Sequence, residues 1–204
     1  MASSEPPPRS DARLVALAAE GDREAFAAIY RRHHRAVYRF ARMMTGSAAL
    51  AEDVTQEVFV ALMRDLARYE PLRARLSTYL YGVARNVTRG RLRRERRFVG
   101  FDAVGRRVPE PSTETDVVDD LADAQRLDRL RRVIRALPSR YREVVILCEL
   151  HGLSYADAAA AIGSPIGTVR SRLHRARRLI GERLHAGATG LAAGSTRKVA
   201  RCLA

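Results

Sequence analysis

The stretch from Leu150 to Arg178 constrains the fold more than any other part of the chain. Its first predicted helix begins at Ser154 with a Ser-x-x-Asp helix-start signal and continues as a short alanine-rich segment. Gly163 ends that segment, and Ser164-Pro165 predicts a second helix, with Ser164 as its cap and Pro165 in its first position. Two helices joined by so short a glycine turn predict a helix-turn-helix.

The second helix of this motif has two different faces. Its apolar face carries, every three or four residues, Val169, Leu173, Ala176 and Ile180. Its polar face carries Arg170, Ser171, His174, Arg175 and Arg178. Because an arginine fork pairs with guanine O6 and N7, this face is a candidate for reading duplex DNA in the major groove. The alternative is an ordinary amphipathic helix with a solvated arginine face, and the preceding helix, turn and cap count against it.

The charge of the chain supports a nucleic-acid partner. Lys and Arg number 37 against 23 Asp and Glu, which gives a net charge of +14, and Lys198 is the single lysine. The planar arginine fork suits phosphate oxygens and base edges, so nucleic acid is the first polyanion to consider. A GC-rich genome also favours arginine codons, so the arginine excess is supporting evidence only.

Several classes of protein are excluded. No apolar run approaches the roughly 18 residues of a membrane span, and residues 1–10 lack the apolar core of a signal peptide. Two cysteines make no disulfide framework, so we predict a cytoplasmic protein. Cys148 and His151 form only half of a zinc site, and we predict no metal. There is no phosphate-binding glycine loop, nucleophile elbow or catalytic carboxylate pair, so we predict neither an enzyme nor a cofactor nor a small-molecule substrate.

The helical periodicity occurs in two blocks, which predicts an all-α fold of two small domains. The first block covers residues 11–98, with apolar residues at three- and four-residue spacing, and the second covers residues 121–186. Between them, residues 99–120 lead into a run of acidic residues beside prolines, which predicts a flexible acidic linker. Residues 1–10 and 187–204 are predicted to be disordered tails.

The end of the first block is a candidate site for single-stranded nucleic acid. Seven arginines lie between residues 85 and 97, directly after the aromatic residues Tyr79 and Tyr81. Aromatic rings stack on bases while guanidinium groups neutralise phosphates, which is how single strands are held.

Three motifs in this order resemble those of the extracytoplasmic-function sigma factors of bacterial RNA polymerase. They are AEDVTQEVF at 51–59, YLYGVARN at 79–86 and GTVRSRLHRAR at 167–177. The resemblance covers residues 11–98, as sigma region 2, and residues 121–186, as sigma region 4. It implies a sigma factor that binds the clamp and flap regions of core polymerase and directs promoter-specific initiation. It also implies control by an anti-sigma factor in response to stress or an envelope signal.

The resemblance also implies roles for individual residues. The polymerase-binding residues would be Asp53, Gln56 and Glu57, which the pattern alone would treat as a solvated face. The minus-ten element would be met, as an opened strand, by Leu72, Arg73 and Arg75 of the 71–75 loop and by Tyr79, Asn86, Arg89 and Arg93. The minus-thirty-five element would be met, as duplex, by Thr168, Arg170, Ser171, His174 and Arg175, with Arg172 and Arg178 near phosphates.

The chain departs from the family pattern at three of its positions. Tyr79 stands where the family usually has Trp, and His174 stands where an apolar or aromatic residue is common. Gly90 stands where the family often has Asp. A glycine inside a helix costs about 1 kcal/mol against alanine, so we expect a kink or early fraying there.

Three alternative functions fit parts of the sequence. A plain DNA-binding regulator would bind a palindromic site without polymerase. A nucleic-acid enzyme would need acidic metal ligands, yet the acidic cluster lies in the linker. A basic architectural protein would have no use for the polar face at residues 52–57. Binding to purified polymerase core separates the sigma factor from all three.

Overall fold

The computed structural model describes residues 10–71, 74–99 and 121–200, and within them the chain forms eight α-helices and no strand. The all-α prediction is therefore confirmed. The predicted linker at 99–120 and the predicted tail at 1–10 lie almost wholly outside the described residues.

The first domain contains four helices. They are α1 (Asp11–Ala19), α2 (Arg23–Thr45), α3 (Ala48–Asp65), which continues as a 3₁₀ turn over Leu66–Arg68, and α4 (Leu76–Val99). Short polar residues set the starts, since the side chains of Ser10, Asp22 and Ser47 each accept a hydrogen bond from the backbone N–H three residues later. Gly46 ends α2 with φ +79, a conformation that costs glycine little. The core of this domain includes the buried side chains of Ile29, Phe40, Val54, Leu62 and Leu80.

The second domain contains the helix-turn-helix. Its elements are α5 (Leu121–Arg135), α6 (Ser139–Val145), a π-helical turn over Ile146–Leu150, α7 (Tyr155–Ile162) and α8 (Ile166–Ala200). Ile134, Leu147, Ile162 and Leu173 are buried in its core. The turn between α7 and α8 has the predicted glycine, Gly163, at φ +60.

Three local expectations were wrong. The N–H of Ser164 donates to the carbonyl of Ala159 and so closes α7, while the Pro165 carbonyl accepts the first bonds of α8, one residue later than predicted. Helix α4 continues through Gly90 to Val99, because the arginines and leucine that follow are good helix formers. Helix α8 continues to Ala200, where the sequence predicted a tail, since extending a helix costs far less than starting one.

The two domains pack on each other through α4 and α7. A Cβ added to Gly82 on α4 would lie 3.4 Å from the carbonyl oxygen of Ala161 on α7, so the two backbones approach closely. Arg142 Nη1 donates to the Met44 carbonyl at 2.7 Å, which joins α6 to the end of α2. Nothing in the sequence pattern predicted this contact, which places the functional faces described below.

Candidate nucleic-acid and polymerase interfaces

The exposed face of α8 carries the residues predicted to read duplex DNA. The apolar side of this helix is buried at Val169, Leu173 and Ala176, so α8 is fixed against its own domain. The opposite side exposes Arg170, Ser171, His174, Arg175 and Arg178. Thr168 and Arg172 are half-buried at the border between the two sides. The division into a buried back and a polar front is thus as the sequence predicted.

The helix that precedes α8 is short and held firmly at its start. Ser154 Oγ accepts a hydrogen bond from the Asp157 N–H at 3.0 Å and donates one to Asp157 Oδ2 at 2.6 Å. Ala158, Ala159 and Ala161 are buried, which lets α7 lie close to its neighbours. A fixed α7 sets the angle at which α8 lies in the helix-turn-helix.

Helix α4 places the predicted strand-holding residues on one element. Asn86, Arg89 and Arg93 are exposed along its middle and end. Tyr79 is half-buried, with its ring edge-on to Tyr69 at 5.5 Å, and burial, followed by the Asp65 carboxylate, raises its pKa. Tyr79 therefore packs within the domain rather than projecting as Asn86 does.

The loop before α4 is braced from within the first domain. The Tyr69 hydroxyl donates to the Ala74 carbonyl at 2.8 Å, and Arg75 is exposed next to it. Leu72 and Arg73, two of the residues predicted to capture a base, lie outside the described residues.

The outer face of α3 is polar at one end and apolar at the other. Asp53, Gln56 and Glu57, the residues predicted to bind polymerase, are exposed. Arg91 of α4 reaches across to this face, with Nε and Nη2 at 3.1 and 3.0 Å from Glu57 Oε2 and Nη1 at 3.6 Å from Asp53 Oδ2. All three side chains are more than a third exposed, so these ion pairs orient the carboxylates and add little stability.

Sequence reasoning missed the apolar continuation of that face. Val60 and Met63 are 43% and 56% exposed, and they follow Gln56 at spacings of four and three residues. Such large apolar groups on a solvent-facing stripe favour contact with another protein. The sequence could have revealed Val60 and Met63, because both are apolar yet lie outside the four-residue repeat of Val54, Val58 and Leu62 that forms the buried face of α3.

Between the domains, buried polar groups meet in pairs. Arg85 Nε donates to Glu143 Oε2 at 3.0 Å, and the Tyr81 hydroxyl lies 2.8 Å from His151 Nδ1. Burial, and next the positive charge of Arg39, lowers the pKa of His151 to about 4. Burial raises the pKa of Tyr81 to about 12.

The described part of the chain holds no group of three metal-ligating side chains. Cys148 is half-buried, and burial followed by the Glu149 carboxylate raises the pKa of its thiol. His151, the other residue of the half zinc site, has its Nδ1 2.8 Å from the Tyr81 hydroxyl. Nor does any helix in the described ranges have both the length and the apolar character needed to cross a membrane.

Comparison with known proteins identifies both domains. The family model described as Sigma-70 region 2 matches residues 29–98, and the one described as Sigma-70, region 4 matches residues 127–180. The ECF RNA polymerase sigma factor SigM of Mycobacterium tuberculosis is 32% identical over 175 residues, which cover 83% of this chain and 82% of SigM. The chain belongs to the extracytoplasmic-function sigma factors. Members of this family are transcription initiation factors and not enzymes, as the sequence predicted.

Two further likenesses bear on this sigma factor. SigE of Mycolicibacterium smegmatis is 34% identical over 168 residues, which cover 78% of this chain but 62% of SigE, so the chain spans less than two thirds of that relative. Among solved structures, RpoE of Bartonella quintana, in complex with the anti-sigma factor NepR, covers 78% of this chain with a TM-score of 0.64 at 25% identity.

Proposed function

We propose that this sigma factor binds core RNA polymerase and directs it to promoters by reading the minus-thirty-five element as duplex and the minus-ten element as an opened strand. The observation that carries the proposal is the exposed polar front of α8 opposite a buried apolar back, within a helix-turn-helix. A helix held in this way can enter the major groove and present its first two turns to base edges.

Duplex reading is assigned to the front of α8. Arg170 and Arg175 each offer a planar fork for guanine O6 and N7, and Ser171 and His174 stand between them. Thr168, Arg172 and Arg178 lie beside this set, where phosphate contacts would fix the register of the helix on the duplex.

Strand holding is assigned to the first domain. Opening a base pair and flipping a base out costs a few kcal/mol. A base pocket in the 71–75 loop, to which Leu72, Arg73 and Arg75 belong, would offset that cost. Phosphate contacts from Asn86, Arg89 and Arg93 of α4 would offset more of that cost. Tyr79 shapes the start of the helix.

Polymerase binding is assigned to the outer face of α3 and, for the flap region, to the second domain. Asp53, Gln56 and Glu57 supply charge and hydrogen bonds to the clamp. Val60 and Met63 extend the same face with apolar area, which a polar face alone lacks. Arg91 keeps two of the carboxylates in place before binding.

Control is assigned to an anti-sigma factor. RpoE, whose structure covers 78% of this chain, was solved with such a partner. We place the protein in the cytoplasm with its polymerase, and we expect release from the partner to follow stress or an envelope signal.

Affinity capture with purified core polymerase tests the proposal. The full chain should retain the core, and the Asp53→Ala/Gln56→Ala variant should retain much less of it. A chain that binds duplex DNA but never the core would be a simple regulator instead.

A further inference from the structure

Arginines from three helices meet around the end of α2. Arg42 Nη1 donates to the Gly46 carbonyl, and Arg142 Nη1 of α6 donates to the Met44 carbonyl at 2.7 Å. The carbon chain of Arg135, on α5, lies against the same turn, since a Cβ built on Gly46 would be 4.0 Å from Arg135 Cδ. The last carbonyls of a helix carry partial negative charge, which accounts for Arg42 and Arg142. This leaves the guanidinium of Arg135 unexplained.

The guanidinium of Arg135 is surrounded by positive charge. Burial, and next the charge of Arg42, lowers its pKa, and Arg131 and Arg132 on the same helix lower it further. Among the described residues Asp128 is the carboxylate that opposes this shift, and Asp128 already pairs with Arg131 at 3.6 Å. Arg135 itself forms no hydrogen bond or ion pair with another residue of the described ranges. Four arginines therefore share one carboxylate.

Arg42, Arg131, Arg132 and Arg135 together form a half-enclosed basic surface, the α2–α5 arginine cluster. Arg131 and Arg132 are exposed, whereas Arg42 and Arg135 are half-buried. Exposed like charges can turn apart into water, but the contacts of Arg42 and Arg135 with Gly46 hold these two side chains at one place. A multivalent anion would remove the repulsion and accept charge-assisted hydrogen bonds from several guanidinium groups.

The charge of the cluster favours a compact ligand with several linked phosphates. Four arginines against Asp128 leave three positive charges in excess, whereas a single phosphate group carries at most about two negative charges near pH 7. Two or three linked phosphates match this charge better, and the planar guanidinium fork suits their oxygens. Duplex DNA spreads its phosphates over a long surface, which suits the exposed front of α8 better than a half-buried cluster.

We propose that the α2–α5 arginine cluster binds an oligophosphate, either free or carried by a nucleotide. Arg132 and Arg135 supply forks from α5, and Arg42 supplies charge from the end of α2. A bound oligophosphate thus contacts both domains at once. None of these residues belongs to the faces assigned to promoter DNA or to core polymerase, so the site stands independently of the proposed function.

A double substitution in the cluster tests the site. Arg132→Gln combined with Arg135→Gln removes two forks, and glutamine is a good helix former. Arg42 is left in place because it bonds the end of α2. Arg13→Gln combined with Arg23→Gln is the matched control, since both residues are exposed, lie on α1 and α2, and carry the same total charge.

Isothermal titration calorimetry of the full chains with sodium tripolyphosphate measures the binding. At about 0.15 M salt, where exposed charges are largely screened beyond a short distance, the natural chain and the control should bind tripolyphosphate equally well. The Arg132→Gln/Arg135→Gln variant should bind it at least about tenfold more weakly. Orthophosphate should bind the natural chain much more weakly than tripolyphosphate does.

Thermal unfolding shows whether the variant is folded. Without ligand its melting midpoint should be no lower than that of the natural chain, because two mutually repelling charges have been removed. Tripolyphosphate should raise the midpoint of the natural chain and of the control, since a ligand that binds the folded state stabilises it. It should leave the midpoint of the Arg132→Gln/Arg135→Gln variant unchanged.

The two sources of an oligophosphate are separated by ATP, which carries three linked phosphates on a nucleoside. Tighter binding of ATP than of tripolyphosphate would support the site and assign it to a nucleotide. Equal or weaker binding of ATP would support it and assign it to a free oligophosphate.

Three results would overturn the proposal. The first is no binding of either compound to the natural chain. The second is equal weakening in both double variants, because net charge alone would then explain it. The third is a loss of affinity for a fluorescein-labelled DNA duplex with tripolyphosphate binding unchanged, which would make the cluster a DNA contact. Failure of the chain in transcription with core polymerase would refute the sigma function and leave these binding results as they are.

Discussion

The hydroxyl of Tyr81 on α4 and Nδ1 of His151 lie 2.8 Å apart, and their rings pack with centroids 4.9 Å apart across the contact between the two domains. Burial keeps the imidazole neutral near pH 7, since the pKa of His151 falls to about 4. The phenol is protonated near pH 7 as well, and burial raises its pKa further, to about 12. The domain contact therefore contains an uncharged hydrogen-bonded pair beside the Arg85–Glu143 ion pair.

This pair makes the packed state sensitive to acid. The ordinary pKa of histidine is 6.5, so in the unfolded chain His151 takes up a proton as the pH falls below that value, while the folded chain resists until about pH 4. The free energy of unfolding therefore keeps its full value above pH 6.5 and decreases as the pH falls toward 4, because over that range the unfolded chain binds the proton and the folded chain does not. At about 1.4 kcal/mol per pKa unit, reduced for the partial exposure of the ring, we expect a loss of about 2 kcal/mol.

Urea unfolding at pH 7 and pH 4.5 measures this effect. Between these two pH values the free energy of unfolding of the natural chain should fall by about 2 kcal/mol more than that of His151→Leu, because the variant has no titratable side chain at position 151. Equal losses in the two proteins would show that His151 is not held neutral at the contact.

Two glycines should respond to alanine with opposite signs. Gly163 has φ +60 in the turn before α8, so Gly163→Ala should cost about 1 kcal/mol in folding free energy. Gly90 lies inside α4 with open space around it, so Gly90→Ala should add up to about 1 kcal/mol. The midpoints of chemical unfolding check both. A loss of stability at Gly90 would mean that α4 does not continue through that residue.

Arg175 should matter for promoter choice. Removing its fork with Arg175→Ala should weaken holoenzyme binding to the cognate minus-thirty-five duplex by about 1–3 kcal/mol and leave core binding unchanged. Arg183→Ala provides the comparison, since Arg183 is also exposed on α8 but lies two turns further along. Electrophoretic mobility shifts with holoenzyme measure the difference. Equal losses in both variants would reduce Arg175 to a general phosphate contact.

The outer face of α3 should control affinity for the polymerase. Asp53→Ala combined with Gln56→Ala should weaken core binding by about tenfold or more, as expected for central interface residues. Glu52→Ala, a change at another exposed residue one position before Asp53, should have little effect. Surface plasmon resonance with immobilised core compares them, and a stronger effect of Glu52 would shift the interface to another side of α3.

Local patterns in the sequence were enough to predict most of the helices. The buried repeats on α2, α3 and α8 follow from three- and four-residue spacing, and Gly46 and Gly163 end their helices as glycine does at positive φ. The start of α8 was misplaced by one residue because Ser164 has two possible roles, capping the next helix or closing the last one. Only the bond from its N–H to Ala159 decides between them.

The contact between the domains could not be predicted in this way. Arg85 and Glu143 are 58 positions apart, and neither breaks the pattern of its own helix. The close approach at Gly82 depends on the small residues of α7, and the alanine-rich pattern of α7 does not tell which helix lies against it. Such contacts depend on the complementary shapes of two folded domain surfaces. The spacing of apolar residues along the chain does not report which surfaces are complementary.

Run-off transcription with reconstituted polymerase tests the central claim most directly. Core polymerase plus this chain, given a library of promoter fragments, should start at defined sites that share two sequence elements, and core alone should not. Initiation at the same sites without the chain, or no site-specific initiation with it, would contradict the assignment of this protein as a promoter-selecting subunit.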